Sequence, residues 1–298
     1  MLREWIRTHE IAAFVLIAFG WTWTWDALYY VFKWGEVLPF TLGRQWGVPI
    51  AALVVVWASD VPVRDWLGRV LDWRLRPILF VIALFVPLFI TNVQSVVRAL
   101  GGGSISDSPP GSLPIIMLFV LAQTLLFGGV EEIGWRGFLQ PRVQESLSVL
   151  TAGLSIGVLW WVWHLPLFIG HEQYSLEPAF LAQYTLFVLG ASMVFGAFVN
   201  VTDGSVLPLM LMHGTVNLGP VLAGSGGVLD GTGLIPIVIG AGLWWLIVLA
   251  LALQHGRPMV PRSAVTPKSK HRSLQKQRGV TIEANGELSR TPTAECRL

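Results

Sequence analysis

Long apolar runs, each close to the thickness of a bilayer, alternate with short polar breaks along most of the chain. Eight segments qualify, near 11–32, 45–59, 77–98, 113–130, 149–169, 179–199, 205–222 and 234–254. A membrane-spanning helix needs about 20 predominantly apolar residues, and most of the eight approach that length. The second is short and is expected to tilt or to begin earlier, and the fourth is expected to continue as helix to residue 140. This pattern predicts an all-α, polytopic membrane protein of about eight transmembrane helices. The apolar stretch from Ile11 is too long for a signal-peptide core and lacks a small-x-small exit, so it reads as a retained first helix.

Composition strengthens the picture. Of 298 residues, 53% are apolar and only 13% charged, with a mean hydropathy of +0.62, against about 25% charged in soluble domains. Fifteen tryptophans suit a chain that repeatedly crosses the lipid–water boundary. The net charge of +2 conceals an asymmetry. Residues 257–298 hold nine Lys and Arg against three Asp and Glu, whereas residues 1–256 hold eleven against fifteen.

The expected organisation is therefore a helical membrane domain over 1–255 and a disordered, basic, cytoplasmic tail over 256–298, suited to anionic headgroups. Nucleic acid is not an expected partner, because no aromatic residues interleave the basic ones. With the N-terminus inside, the inner segments hold seventeen Lys and Arg and the outer ones only Lys33, Arg44 and Arg98. That bias places both termini in the cytoplasm of a multi-pass cell-membrane protein. The single cysteine, Cys296, allows no intrachain disulfide and no Cys-based metal cluster. It is third from the end, where a prenylation box needs the fourth.

Ionisable residues inside spans are functional candidates by default, because burying a charge is costly unless it is paired. The stretch "GGVEEIGWRGFLQP" carries Glu131, Glu132 and Arg136. Helical spacing lets Glu132 and Arg136 pair and turns Glu131 away from them, leaving a carboxylate able to act as a general base. Two adjacent acids are poorly explained as a cap at a helix C-terminal end, where the dipole disfavours them. His164, in "WWVWHLPLF", lies before Pro166, a candidate kink. His213 and Asn217 are four apart on one helical face and supply two donors suited to an oxyanion. Asn200 and Asp203, in "VNVTDGS", are explained by a tight Asp-Gly turn.

These motifs, in this order, resemble the CAAX protease and bacteriocin-processing (CPBP, or Abi) family of intramembrane proteases. Its pattern runs Glu-Glu-x-x-x-Arg, Phe-x-x-x-His, then His-x-x-x-Asn or Asp. Glu131, Glu132 and Arg136 match the first and His213 and Asn217 the third. The second is met by His164 alone, with Trp160 where Phe is usual. The resemblance covers roughly 113–222, and the eight-helix count agrees with the family's eukaryotic prenyl-protease members.

It implies an intramembrane endopeptidase hydrolysing a peptide bond of a membrane-associated protein or peptide. Glu131 and His164 would be the catalytic activators of water, His213 and Asn217 would stabilise the oxyanion, and Glu132 and Arg136 would brace the site. No cofactor is favoured, although Glu131, His164 and His213 could offer a divalent metal such as zinc a two-His, one-carboxylate set. The competing reading is a non-enzymatic membrane protein (a bacteriocin-immunity factor, scaffold or transporter) using the polar cluster for helix packing. One expectation strains the scheme. At 1.5 Å per residue, Glu131 and His213 lie roughly 12–13 Å along their helices and His164 roughly 20 Å, so the fifth helix must tilt, shift or begin later.

Overall fold

The computed structural model describes residues 1–32, 38–100, 111–170, 174–222 and 234–254. All regular structure among them is helical, and the tail from 255 onward, with Cys296, lies outside the described residues. In chain order the helices are α1 (Leu2–Thr8), α2 (Glu10–Phe32), α3 (Leu38–Gln45), α4 (Gly47–Ala58), α5 (Val63–Val70), α6 (Pro77–Leu100) and α7 (Leu113–Leu125). There follow α8 (Glu131–Gly134), α9 (Gln140–Val143), α10 (Val149–Trp163), α11 (Leu167–Gly170), α12 (Pro178–Val201), α13 (Leu207–Leu222) and α14 (Leu234–Gln254).

Four stretches are long and apolar enough to span a bilayer: Glu10–Phe32, Pro77–Val97, Leu113–Val143 and Pro178–Val201. The shorter apolar helices Leu42–Ala58, Val149–Trp163 and Ile239–Gln254 accompany them. With α13, these are the eight apolar segments of the sequence. The protein is an all-α, multi-pass membrane protein. The short helices α1, α3 and α5 carry no long apolar run and were invisible to that pattern.

Burial sets the layout. About 67% of the apolar window of α12 is buried, against 22–28% for the other three long spans, so α12 is the central helix. It packs against α10 on one side and α14 on another, while α13 packs on α6 and α7, and α2 on α4. Leu118, Phe119 and Leu121 of α7 and Phe85 and Phe89 of α6 are exposed, as expected of side chains whose solvent is hydrocarbon. Within the mainly aliphatic core aromatic rings cluster: Phe14 of α2 lies 5.6 Å from Trp135 edge-on and 5.1 Å from Phe138, and Trp135 meets Trp163 at 86°.

Two departures from regular helix position the polar residues. After Leu125 the fourth apolar run breaks. Gly128–Val130 forms one tight 3₁₀ turn before α8 begins at Glu131. The adjacent glutamates therefore open a new helical stretch instead of ending an old one, which removes the conflict with the helix dipole. Trp135–Leu139 then widens into a π-helical turn carrying Arg136, a local geometry common at functional sites. Farther on, α10 stops at Trp163 because Pro166 disfavours helix in the residue before it and can donate no backbone bond. His164 is left as the C-terminal cap.

Candidate active site

Trp160, one turn before His164, is the side chain around which the site is assembled. Its indole nitrogen donates to Glu131 Oε2 at 3.0 Å. The His213 ring meets it edge-on at 5.2 Å and the His164 ring at 5.6 Å. Three helical elements, α8, α10 and α13, thus deliver Glu131, His164 and His213 to one indole. Trp160 was read in sequence as a weakening of the motif, and its hydrogen bond to Glu131 is one that phenylalanine could not make.

The depth conflict dissolves in the geometry. Trp160, eleven residues past Val149, lies about 16 Å along α10. Glu131, twelve residues before Val143, lies about 18 Å along its own stretch. His164 stands one turn beyond. The α13 helix starts already deep in the bundle: Val206 N–H donates to Val70 O at 2.7 Å, and both valines line the space beside Gly137. From that level Glu131 is six residues away and His213 seven along their helices, about 9 and 10 Å.

Glu132 is shared. Its Oε1 accepts from His213 Nδ1 at 2.8 Å and from Arg136 Nη1 at 3.3 Å. Its Oε2 lies 3.1 Å from the same nitrogen, close enough for charge pairing yet outside hydrogen-bond alignment. All three groups are buried. Arg136 reaches on to α12, donating to Ser192 Oγ at 2.7 Å, and the hydroxyl in turn donates to Gly153 O of α10 at 2.7 Å. That chain exists only because α10 and α12 touch closely. A Cβ on Gly153 would stand 2.8 Å from Met193 Cα. Glu131, by contrast, has no ion pair among the described residues.

The histidines differ in protonation geometry. His164 Nδ1 lies 2.8 Å from Trp160 O, and a carbonyl can only accept, so Nδ1 carries the proton and Nε2 keeps its lone pair in the neutral ring. His213 gives its Nδ1 to Glu132, so Nε2 can donate only when the ring is doubly protonated. Asn217 sits one turn past His213, exposed, with Nδ2 3.4 Å from Gln123 Oε1 of α7. Both His213 Nε2 and Asn217 Nδ2 face Gly128. A Cβ there would come within 2.9 Å of the first and 2.1 Å of the second.

Glu131 and His213 are each 3% exposed and His164 9%, so the site is closed at the carboxylate and opens toward Asn217. A separate cleft among α6, α12, α13 and α14 touches α13 at Val216, but none of these residues lines it. Among the described residues no three His, Cys, Asp or Glu side chains group around one point as metal ligands. Glu131, His164 and His213 stand around the Trp160 indole.

Sequence reasoning missed one charged pair. Asp26, inside the first span, and Arg44, assigned to an outer loop, form a buried salt bridge of 2.8 Å. The guanidinium lies 4.2 Å over the Trp163 ring. The signal was available: an acid inside "WTWTWDALYY" falls under the same rule that singled out Glu131.

Comparison with known proteins bears on the same segment. Residues 113–219, which hold every motif residue, match the family described as type II CAAX prenyl endopeptidase Rce1-like. A curated relative, the CAAX prenyl protease 2 of Methanococcus maripaludis, is 26% identical over 123 residues, which cover 38% of this chain. The match spans less than half of that relative, 44% of its length. Asp26 and Arg44 lie outside the matched segment, whereas Trp160 and Ser192 lie within it.

Proposed function

We propose that the chain is an intramembrane endopeptidase that hydrolyses a peptide bond of a membrane-associated protein or peptide, using a water activated by Glu131 and His164. The observation that carries this reading is the meeting of Glu131, His164 and His213 around Trp160. Water held between the Glu131 carboxylate and His164 Nε2 loses a proton to them as its oxygen bonds to the scissile carbonyl carbon. The carbonyl electron pair moves onto oxygen, where Asn217 Nδ2–H and the Nε2–H of doubly protonated His213 stabilise it. Glu132 supplies the counter-charge for that imidazolium, and Arg136, anchored on Ser192, holds Glu132 in place. Collapse of the intermediate breaks the C–N bond, and the leaving amine takes back the proton.

The reaction is proposed as metal-free, with the three donors arranged around an indole. The relative's name makes a prenylated CAAX terminus the first substrate to test. Both termini are proposed to face the cytoplasm, on the Lys and Arg bias. The test is cleavage of a prenylated CAAX peptide by the full chain in nanodiscs, with a comparison of membrane-protein termini in cells carrying wild type, Glu131→Gln or His164→Ala. Loss in both variants is expected, and normal processing by both would overturn the reading.

The near-complete burial of Glu131 and His213 favours a second reading, in which the cluster only packs helices. It predicts that Glu131→Gln lowers stability and that no terminus changes.

A further inference from the structure

Arg44 is the buried cation that the proposed mechanism does not use. It is 5% exposed and is committed to Asp26 through Nε alone. Its Nη2 is buried and has no acceptor among the described residues. The Trp163 indole nitrogen beneath it is in the same condition. Buried donors nearly always find acceptors, and a guanidinium needs only one edge to hold an aspartate. Here Asp26 holds Nε, the indole face supports the plane, and among the described residues the terminal nitrogen is left open to a further acceptor. A carboxylate matches it in charge and geometry.

The location is specific. With the guanidinium 4.2 Å from the Trp163 ring and that ring 4.7 Å from the His164 ring, Arg44 and His164 are separated by at most the sum of the two, about 9 Å. Three residues of extended chain reach about 10 Å. A C-terminal segment of up to three residues can therefore span from a scissile bond at His164 to a terminal carboxylate at Arg44.

We propose that Arg44, held by Asp26 and backed by Trp163, is the site that receives the substrate's C-terminal carboxylate and so sets the cut near the chain end. This inference rests on the proteolytic reading above. It assigns a measuring function to a pair outside the family-matched segment.

The experiment uses the full chain in zwitterionic nanodiscs, which removes anionic lipid as the source of the carboxylate or phosphate. Prenylated CAAX peptides ending in a free acid or an amide are compared as substrates, and the matching tripeptide acid and amide as ligands by calorimetry. Wild type is expected to favour the acid at least tenfold in kcat/KM, chiefly through KM. Arg44→Gln is expected to bring that ratio near one, and Arg44→Lys, which keeps the charge and loses the fork, to restore part of it. The acid–amide contrast on wild type needs no variant, so misfolding of Arg44→Gln cannot mask the answer. Equal cleavage of acid and amide by wild type, or a ratio unchanged in a folded Arg44→Gln protein, overturns the carboxylate site and leaves proteolysis standing. Tripeptide-acid binding that needs Arg44, without cleavage, supports the site and sinks the proteolytic reading. Absence of both cleavage and acid-selective binding overturns both.

Discussion

Trp160 donates its indole hydrogen to Glu131 across 29 residues of sequence, at 3.0 Å and in a buried setting. The bond orients the carboxylate without neutralising it. Trp160→Phe would keep an aromatic ring there and remove only the donor. A hydrogen bond to a charged group contributes about 1.5–3 kcal/mol, so kcat should fall roughly ten- to a hundredfold. Steady-state kinetics should show KM nearly unchanged. A drop in KM-limited binding alone would contradict the positioning role.

Glu132 and Glu131 should separate by readout. Glu132 compensates Arg136 and His213 together, and removing one partner of a buried ion pair costs about 3–5 kcal/mol. Thermal unfolding in detergent should show Glu132→Ala far less stable than wild type. Glu131→Gln, which breaks no ion pair, should unfold near the wild-type temperature while losing cleavage.

The Arg136–Ser192–Gly153 chain couples the π-helical turn after α8 to α12 and α10. Ser192→Ala leaves a buried guanidinium short of an acceptor and should cost about 1–3 kcal/mol, seen as a lower unfolding midpoint. Gly153→Val should do worse, since its Cβ would meet Met193 backbone at 2.8 Å and α10 and α12 would have to part.

Gly128→Ala tests the proposed oxyanion side. The added methyl would crowd His213 Nε2 and Asn217 Nδ2, and Asn217 is exposed enough to swing away, so the fold should persist. Loss of one oxyanion donor typically slows turnover roughly 10²–10³-fold. Unfolding midpoint and single-turnover rate, measured on one preparation, separate the two effects.

The helices were legible because hydrocarbon imposes length and apolarity on whatever crosses it. Each of the eight apolar runs holds a helix, but the fifth, expected to run to 169, stops at Trp163, where Pro166 ends the helix and does not merely kink it. The break after Leu125 was not legible, because Leu126 and Phe127 extend the apolar run. Only the Gly128–Gly129 pair marked it. Taking that run as continuous put Glu131 at the C-terminal end of a helix, where the dipole disfavours it. Arg44 was lost for a similar reason: the second span was begun at residue 45, one position too late to include it. Trp160 and Ser192 could not be found by motif, because an indole or hydroxyl becomes important only through partners 29 and 56 residues away.

Pro166, by ending α10 at Trp163, also decides which pole of that helix meets the chemistry. Fifteen residues of aligned peptide groups terminate beside His164, and their summed dipoles make that end the negative pole. A histidine that takes a proton from water becomes a cation, and here it would do so where the backbone already favours positive charge. The proline thereby gives the ring an electrostatic complement that no side chain has to provide.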